Sequence, residues 1–122
     1  MDIQKIRENL ELKFRVRQAA NHDRWSRAKA DFEAILEMVK ADYYPARIYC
    51  WGSLLDETGF NEHSDIDIAL EGVTDPGAYF ELLGKATSLT GFPVDIVQME
   101  KIDPVFAAQI RRKGKLMYER EI

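Results

Sequence analysis

The chain has 122 residues, 46% of them hydrophobic and 31% charged, with a net charge of −4 and a pI near 5.2. That length supports a single domain (1–122) with a real core, and the composition is that of an ordinary soluble globular protein. The acidic balance disfavours a domain that grips a nucleic acid backbone, no apolar run approaches the roughly 20 residues that span a bilayer, and a single cysteine, Cys50, admits no internal disulfide.

The first residues, Met1-Asp2-Ile3-Gln4-Lys5, lack the basic-then-apolar order of a secretory leader, so a reducing cytoplasm is the expected location. Ile3, Ile6, Leu10 and Phe14 recur at helical spacing and predict a first amphipathic helix. Asn21-His22-Asp23 reads as a break and a new N-cap. A second helix follows with Trp25, Ala28, Phe32, Ile35, Leu36 and Val39 on one stripe, ending before Tyr44-Pro45. Residues 1–44 thus form a helical extension ahead of a core at 47–118.

Arg47 to Trp51 predicts a first strand, Gly52 to Ser64 a long loop or short helix, and Asp65 to Leu70 a second strand. Asp75-Pro76 pairs a cap with an N1 proline and opens a helix that Gly91 ends. Val94 to Val97 predicts a third strand, and Asp103-Pro104 opens a last helix that stops at Gly114. Leu116-Met117-Tyr118 reads as an edge strand or a packed tail. Helices alternate with strands, so the expected class is α/β (α+β): a small mixed sheet of three to four strands covered by helices, behind two extra N-terminal helices.

The chemistry lies in the acids. Side chains of a strand alternate faces, so Asp65 and Asp67 share one face while Ile66, Ile68 and Leu70 share the other. Val94-Asp95-Ile96-Val97 repeats the scheme. If the two strands are neighbours, three carboxylates converge. Two unit charges about 4 Å apart near a protein surface repel by roughly 4 kcal/mol, so such a cluster asks for a cation or a shared proton. Hard oxygen ligands suit Mg2+, which takes the rest of its shell from water and phosphates. Gly52-Ser53 directly follows a strand, where glycine lets a backbone approach a phosphate and serine adds a donor.

Gly52-Ser53…Ser64-Asp65-Ile66-Asp67-Ile68, with Asp95 as the third acid, resembles the signature of the DNA polymerase beta-like nucleotidyltransferase superfamily, and the short chain resembles its minimal nucleotidyltransferases. The resemblance covers roughly Arg47 to Tyr118. It implies that Asp65, Asp67 and Asp95 bind one or two Mg2+ ions and carry catalysis, that Gly52, Ser53 and Ser64 contact the nucleotide, and that ATP is the substrate. It further implies a small helical HEPN-type protein as partner, adenylylated on a tyrosine in a toxin–antitoxin pair. One departure stands out. Many minimal members carry an arginine-bearing segment after Gly-Ser, whereas here the chain reads Leu54-Leu55-Asp56-Glu57-Thr58-Gly59-Phe60. Arg47, Lys85 or a partner's basic residue are candidates to replace that cation.

Two rival readings stand beside transfer of AMP to a partner hydroxyl. One is a catalytically weak module that neutralises or scaffolds its partner by contact. The other, ranked last, is transfer to a small molecule such as an aminoglycoside, for which a short chain leaves little room. Cys50 reads as a small core residue, His63 as a solvent-facing loop residue, and Trp51 as core filler ahead of a base-stacking platform. Tyr43, Tyr44, Tyr49, Tyr79 and Tyr118 are structural by default. The basic clusters Lys13-Phe14-Arg15-Val16-Arg17 and Arg111-Arg112-Lys113 with Lys115 read as solvated helix faces. The first helix's apolar stripe either closes the core or docks a partner helix, and homo-oligomerisation stays open.

Overall fold

The computed structural model describes residues 2–121. A long helix α1 (Ile3–Tyr43) leads into β1 (Arg47–Trp51), followed by two 3-10 turns (Gly52–Leu55 and Glu57–Gly59) and β2 (Ile66–Glu71). Helix α2 (Pro76–Ser88), β3 (Val94–Gln98), a 3-10 turn (Met99–Lys101), α3 (Pro104–Lys113) and β4 (Lys115–Glu119) complete the chain. The strands form one four-stranded mixed sheet in the order β3-β2-β1-β4. β1 runs antiparallel to β2 and to β4, while β2 and β3 are parallel and joined by the α2 crossover. The α+β class read from the sequence is the class observed. Among the described residues no helix is long and apolar enough to cross a membrane.

The expected pair of N-terminal helices is one continuous 41-residue helix, about 60 Å long at 1.5 Å per residue. Asn21, His22 and Asp23 do not cap a new helix because their side chains are used elsewhere. Asn21 accepts from Arg24 at 2.8 Å, Asp23 accepts from Arg27 at 3.0 Å, and His22 pairs with Glu57. Neither proline nor glycine interrupts the stretch, so helix propagation continues through it. Asp2 caps the start by accepting from the backbone N–H groups of Gln4 and Lys5. Tyr44, in the left-handed region at φ 50°, ends it ahead of Pro45, as expected.

The two halves of α1 have different surroundings. Ala28, Phe32, Ile35, Leu36 and Val39 are buried against one face of the sheet, where they meet Ile48, Cys50, Ile66, Ile68, Leu70 and Ile96. Ile3, Leu10 and Phe14 are 60% exposed or more. At 100° per residue these N-terminal residues lie on the same line along the helix as Ala28, Phe32 and Val39. The core-facing stripe therefore runs on past the end of the core, and the first helical stretch does not close it.

Helix α2 shares the α1 side of the sheet through Leu82 and Ala86. Its cap is Asp75, whose carboxylate accepts from Ala78 at 2.8 Å, and Asp103 caps α3 in the same way through Val105 at 2.8 Å. The opposite face carries a smaller cluster of Tyr49, Ala69, Met99, Ala107 and Ile110, with α3 laid over it. Cys50 sits in the larger cluster, and burial pushes its thiol up to about 12, which makes it inert at neutral pH.

Candidate active site

The site occupies the α3 face of the sheet at the ends of β1, β2 and β3. Asp67 and Asp95 are direct register partners on the parallel pair β2 and β3. Trp51 is the register partner of Asp67 on the antiparallel side. Residues directly opposite one another on neighbouring strands point to the same face, so Trp51, Asp67 and Asp95 form one row across three strands. Asp65 stands one residue ahead of β2, which begins at Ile66 and not at Asp65, and keeps the same parity as Asp67. The hydrophobic alternation explains the arrangement: Ile66, Ile68 and Ile96 are buried on the other face, which turns the acids outward.

Electrostatics marks Asp67 as the inner member. Partial burial, then the charges of Asp95 and Asp65, push its carboxyl up to about 6. Among the described residues no cation offsets these effects on Asp67. The neighbouring acid of β2, Glu71, has the opposite environment. It accepts from Arg47 at 2.8 Å and Arg111 at 3.1 Å, with the Tyr49 hydroxyl at 3.4 Å. Burial alone would raise the Glu71 carboxyl, yet these hydrogen bonds outweigh it and hold it below the usual range. Two acids four residues apart on one strand are thus set apart: Glu71 is neutralised, and Asp67 is left to be neutralised by something that binds.

Gly52 opens the 3-10 turn after β1 with φ +78°. A Cβ at this position would collide with Asp67 Oδ2 and lie 3.1 Å from Asp67 Cγ. The glycine is therefore required twice, for the left-handed backbone and for the close passage of the chain over a site carboxylate. Ser53 follows half-buried in the same turn, its carbonyl accepting from Asp56. Ser64 has a local task, since its hydroxyl oxygen accepts from the Asn61 N–H at 3.0 Å and closes the turn before Asp65.

The loop that lacks an arginine is held by its own acids. Asp56 accepts from the backbone N–H and hydroxyl of Thr58, and Glu57 reaches back to His22 on α1. The hydrogen bonds from Thr58 lower the Asp56 carboxyl. Neither cation considered as a replacement is free for the task. Arg47 is bound by Glu71 and Glu119, and Lys85 lies on α2 beside Asp42 and Glu81. His63 is 86% exposed and stays a surface residue. Trp51, expected to fill a core, is partly buried against the smaller cluster under α3 and also lines a cavity beside Gly52. The alternation of Arg47, Tyr49 and Trp51 along β1 was the signal that could have placed it in the acid row.

The donor set fits a hard divalent cation in kind, being carboxylate oxygen alone, and the raised Asp67 carboxyl fits a site awaiting positive charge. Among the described residues no three His, Cys, Asp or Glu side chains are yet gathered closely enough to hold an ion. The register brings Asp67 and Asp95 together, and Asp65 joins them by parity.

A family model described as polymerase beta, nucleotidyltransferase matches residues 33–122. No curated protein matches the chain. Among solved structures, a toxin–antitoxin complex with AMP-PNP is similar at 27% identity and TM-score 0.61, over 71% of this chain and 72% of that one. A mutant of the MntA toxin–antitoxin complex gives 27% identity and TM-score 0.59, over 73% and 72%. The structure of a tri-AMPylated Shewanella oneidensis HEPN toxin in complex with MNT antitoxin shares the fold at 24% identity and TM-score 0.58, over 76% and 73%.

Proposed function

The chain belongs to the polymerase beta nucleotidyltransferase family, and from that premise we propose that it transfers AMP from ATP to a hydroxyl of a partner protein. The partner in this reading is a small helical HEPN-type protein, and the chain is the antitoxin of the pair. The observation that carries the proposal is the register of Asp67 against Asp95, with Gly52 packed directly over the Asp67 carboxylate. Similarity to a toxin–antitoxin complex that holds AMP-PNP supports a nucleotide substrate and a protein partner.

In this reading Asp65, Asp67 and Asp95 would hold one or two Mg2+ ions, which supply charge neutralisation for the triphosphate when bound. Gly52 and Ser53 position the terminal phosphates at the turn. The acceptor hydroxyl forms a new O–P bond at the α-phosphorus while the bond to the β-phosphate oxygen breaks, and pyrophosphate leaves. Asp95 is the exposed member of the row, and in this reading it helps draw off the hydroxyl proton. Positioning and charge complementarity account for the protein's share of the rate. The uncovered stripe of Ile3, Ile6, Leu10 and Phe14 supports docking of a helical partner.

The test is incubation of the chain with its co-purified or genetically adjacent helical partner, Mg2+ and each nucleoside triphosphate, followed by intact mass. A gain of one adenylyl group or a multiple, from ATP and not from the others, is the expected result. Unchanged partner mass with every nucleotide overturns the reading. A contact-only antitoxin is the second reading, favoured by the engagement of Arg47 and Lys85 in ion pairs away from the Gly52–Ser53 turn. It predicts that Asp67→Asn still neutralises the partner.

A further inference from the structure

A cavity of about 400 Å3 opens beside the acid row, between the end of β1 and α3. Its walls are Trp51, Leu55, Phe106, Gln109, Ile110 and Lys113, with the Gly52 backbone on its rim. Phe106, Gln109, Ile110 and Lys113 are spaced i, i+3, i+4 and i+7, so one face of α3 is turned toward Trp51. Trp51 and Phe106 meet edge to face, 5.5 Å between centroids at 87°. The Trp51 indole N–H is buried and has no hydrogen-bond partner among the described residues.

These features narrow the occupant. The lining contains no carboxylate, is mostly apolar and aromatic, and has two polar side chains, Gln109 and Lys113, since the buried Trp51 N–H does not open into it. A phosphate tail gains nothing from two aromatic walls, and an aliphatic ligand would leave the polar groups unmatched. A flat heterocycle with ring-nitrogen acceptors satisfies both requirements, because it stacks on aromatic surface and takes hydrogen bonds at its edge. Gln109 offers a donor and an acceptor side by side, the pairing that reads the N6 and N7 positions of adenine.

We propose that this cavity is the nucleobase subsite of the transferase and that Gln109 sets its preference for adenine. The proposal rests on the transferase reading above and adds to it the location of the base and the residue that selects it. The nucleotide then lies with its phosphates over Gly52 and Asp67 and its base against Trp51, and no basic residue of the loop is needed to orient it.

Calorimetric titration of the full chain in Mg2+ tests this, with AMP-PNP, GMP-PNP and tripolyphosphate as the probes. Phe106→Ala should weaken AMP-PNP by about tenfold or more while leaving tripolyphosphate unchanged. Gln109 is exposed, so Gln109→Leu keeps the fold, and it should bring the AMP-PNP and GMP-PNP affinities together. The subsite is overturned if both variants bind AMP-PNP as the wild type does, or if they lose AMP-PNP and tripolyphosphate in equal proportion. If the wild-type chain binds no nucleotide, this inference and the transferase reading fall together; if it binds and the wall variants are indifferent, only the subsite falls.

Discussion

Gly52 and Asp67 are in such close contact that a single methyl group on the glycine would overlap the aspartate's carboxylate. The turn after β1 is thereby fitted to a site side chain before any ligand arrives. Gly52→Ala must both adopt φ +78° and displace Asp67. The expected cost is about 1–3 kcal/mol of stability, measured by urea unfolding, together with loss of transfer from α-labelled ATP. An alanine variant that is as stable and as active as wild type would show that the turn relaxes freely.

Asp67→Asn and Asp95→Asn should each lower transfer by about a hundredfold or more, since each removes a carboxylate that would hold the Mg2+ neutralising the triphosphate. A second readout separates binding from folding. Mg2+ should raise the melting temperature of wild type by mass action on the folded state, and this rise should vanish in Asp67→Asn. An undiminished Mg2+ effect in that variant would place the ion elsewhere.

Glu71 provides the pH dependence. Its folded carboxyl lies below the ordinary value of 4.5, so its contribution to stability is complete above that value. The contribution is lost as pH falls through the lower folded value. Glu71→Gln should therefore destabilise the protein by about 1–3 kcal/mol at pH 7. The gap between variant and wild type should close as the pH is taken below 4.5. Chemical denaturation at several pH values reads it directly, and a gap that widens in acid would contradict the assignment.

The two halves of α1 should respond differently to truncation of one side chain. Phe32→Ala, at 3% exposure, should cost about 3–5 kcal/mol. Leu10→Ala, at 61% exposure, should stay within about 0.5 kcal/mol. Amide hydrogen exchange of the free chain should follow the same division, fast before Asn21 and slow from Ala28 to Val39. Equal protection along the whole helix would mean that its first half is covered.

The strands and the acid row were legible because alternation is a strong local signal. Burial of Ile66, Ile68 and Ile96 forces Asp67 and Asp95 to the opposite face. Both Asp-Pro pairs marked helix starts correctly, because cap and N1 proline act within one turn. The break at Asn21-His22-Asp23 was misread because those residue types favour caps; Asn21 and Asp23 instead pair with Arg24 and Arg27 one helical turn on, and only the fold reveals that Glu57 takes up His22. Glu71 falls one residue beyond the predicted second strand, and its two arginine partners come from β1 and α3, 24 and 40 residues away in sequence. The role of Gly52 was read as approach to phosphate, while the contact that excludes a side chain there is with Asp67. Long-range neighbours of this kind leave no trace in local spacing.

The uninterrupted α1 has a mechanical consequence. A peptide of some twenty residues would hardly stay wound alone in water, yet here its far end is anchored by Phe32, Ile35 and Val39 in the folded body. The sheet thus acts as a template that keeps the free tip coiled. Whatever grasps Ile3, Ile6 and Leu10 meets a largely pre-wound rod, spends less ordering entropy on it than on a free peptide, and is held at a fixed bearing from the carboxylates.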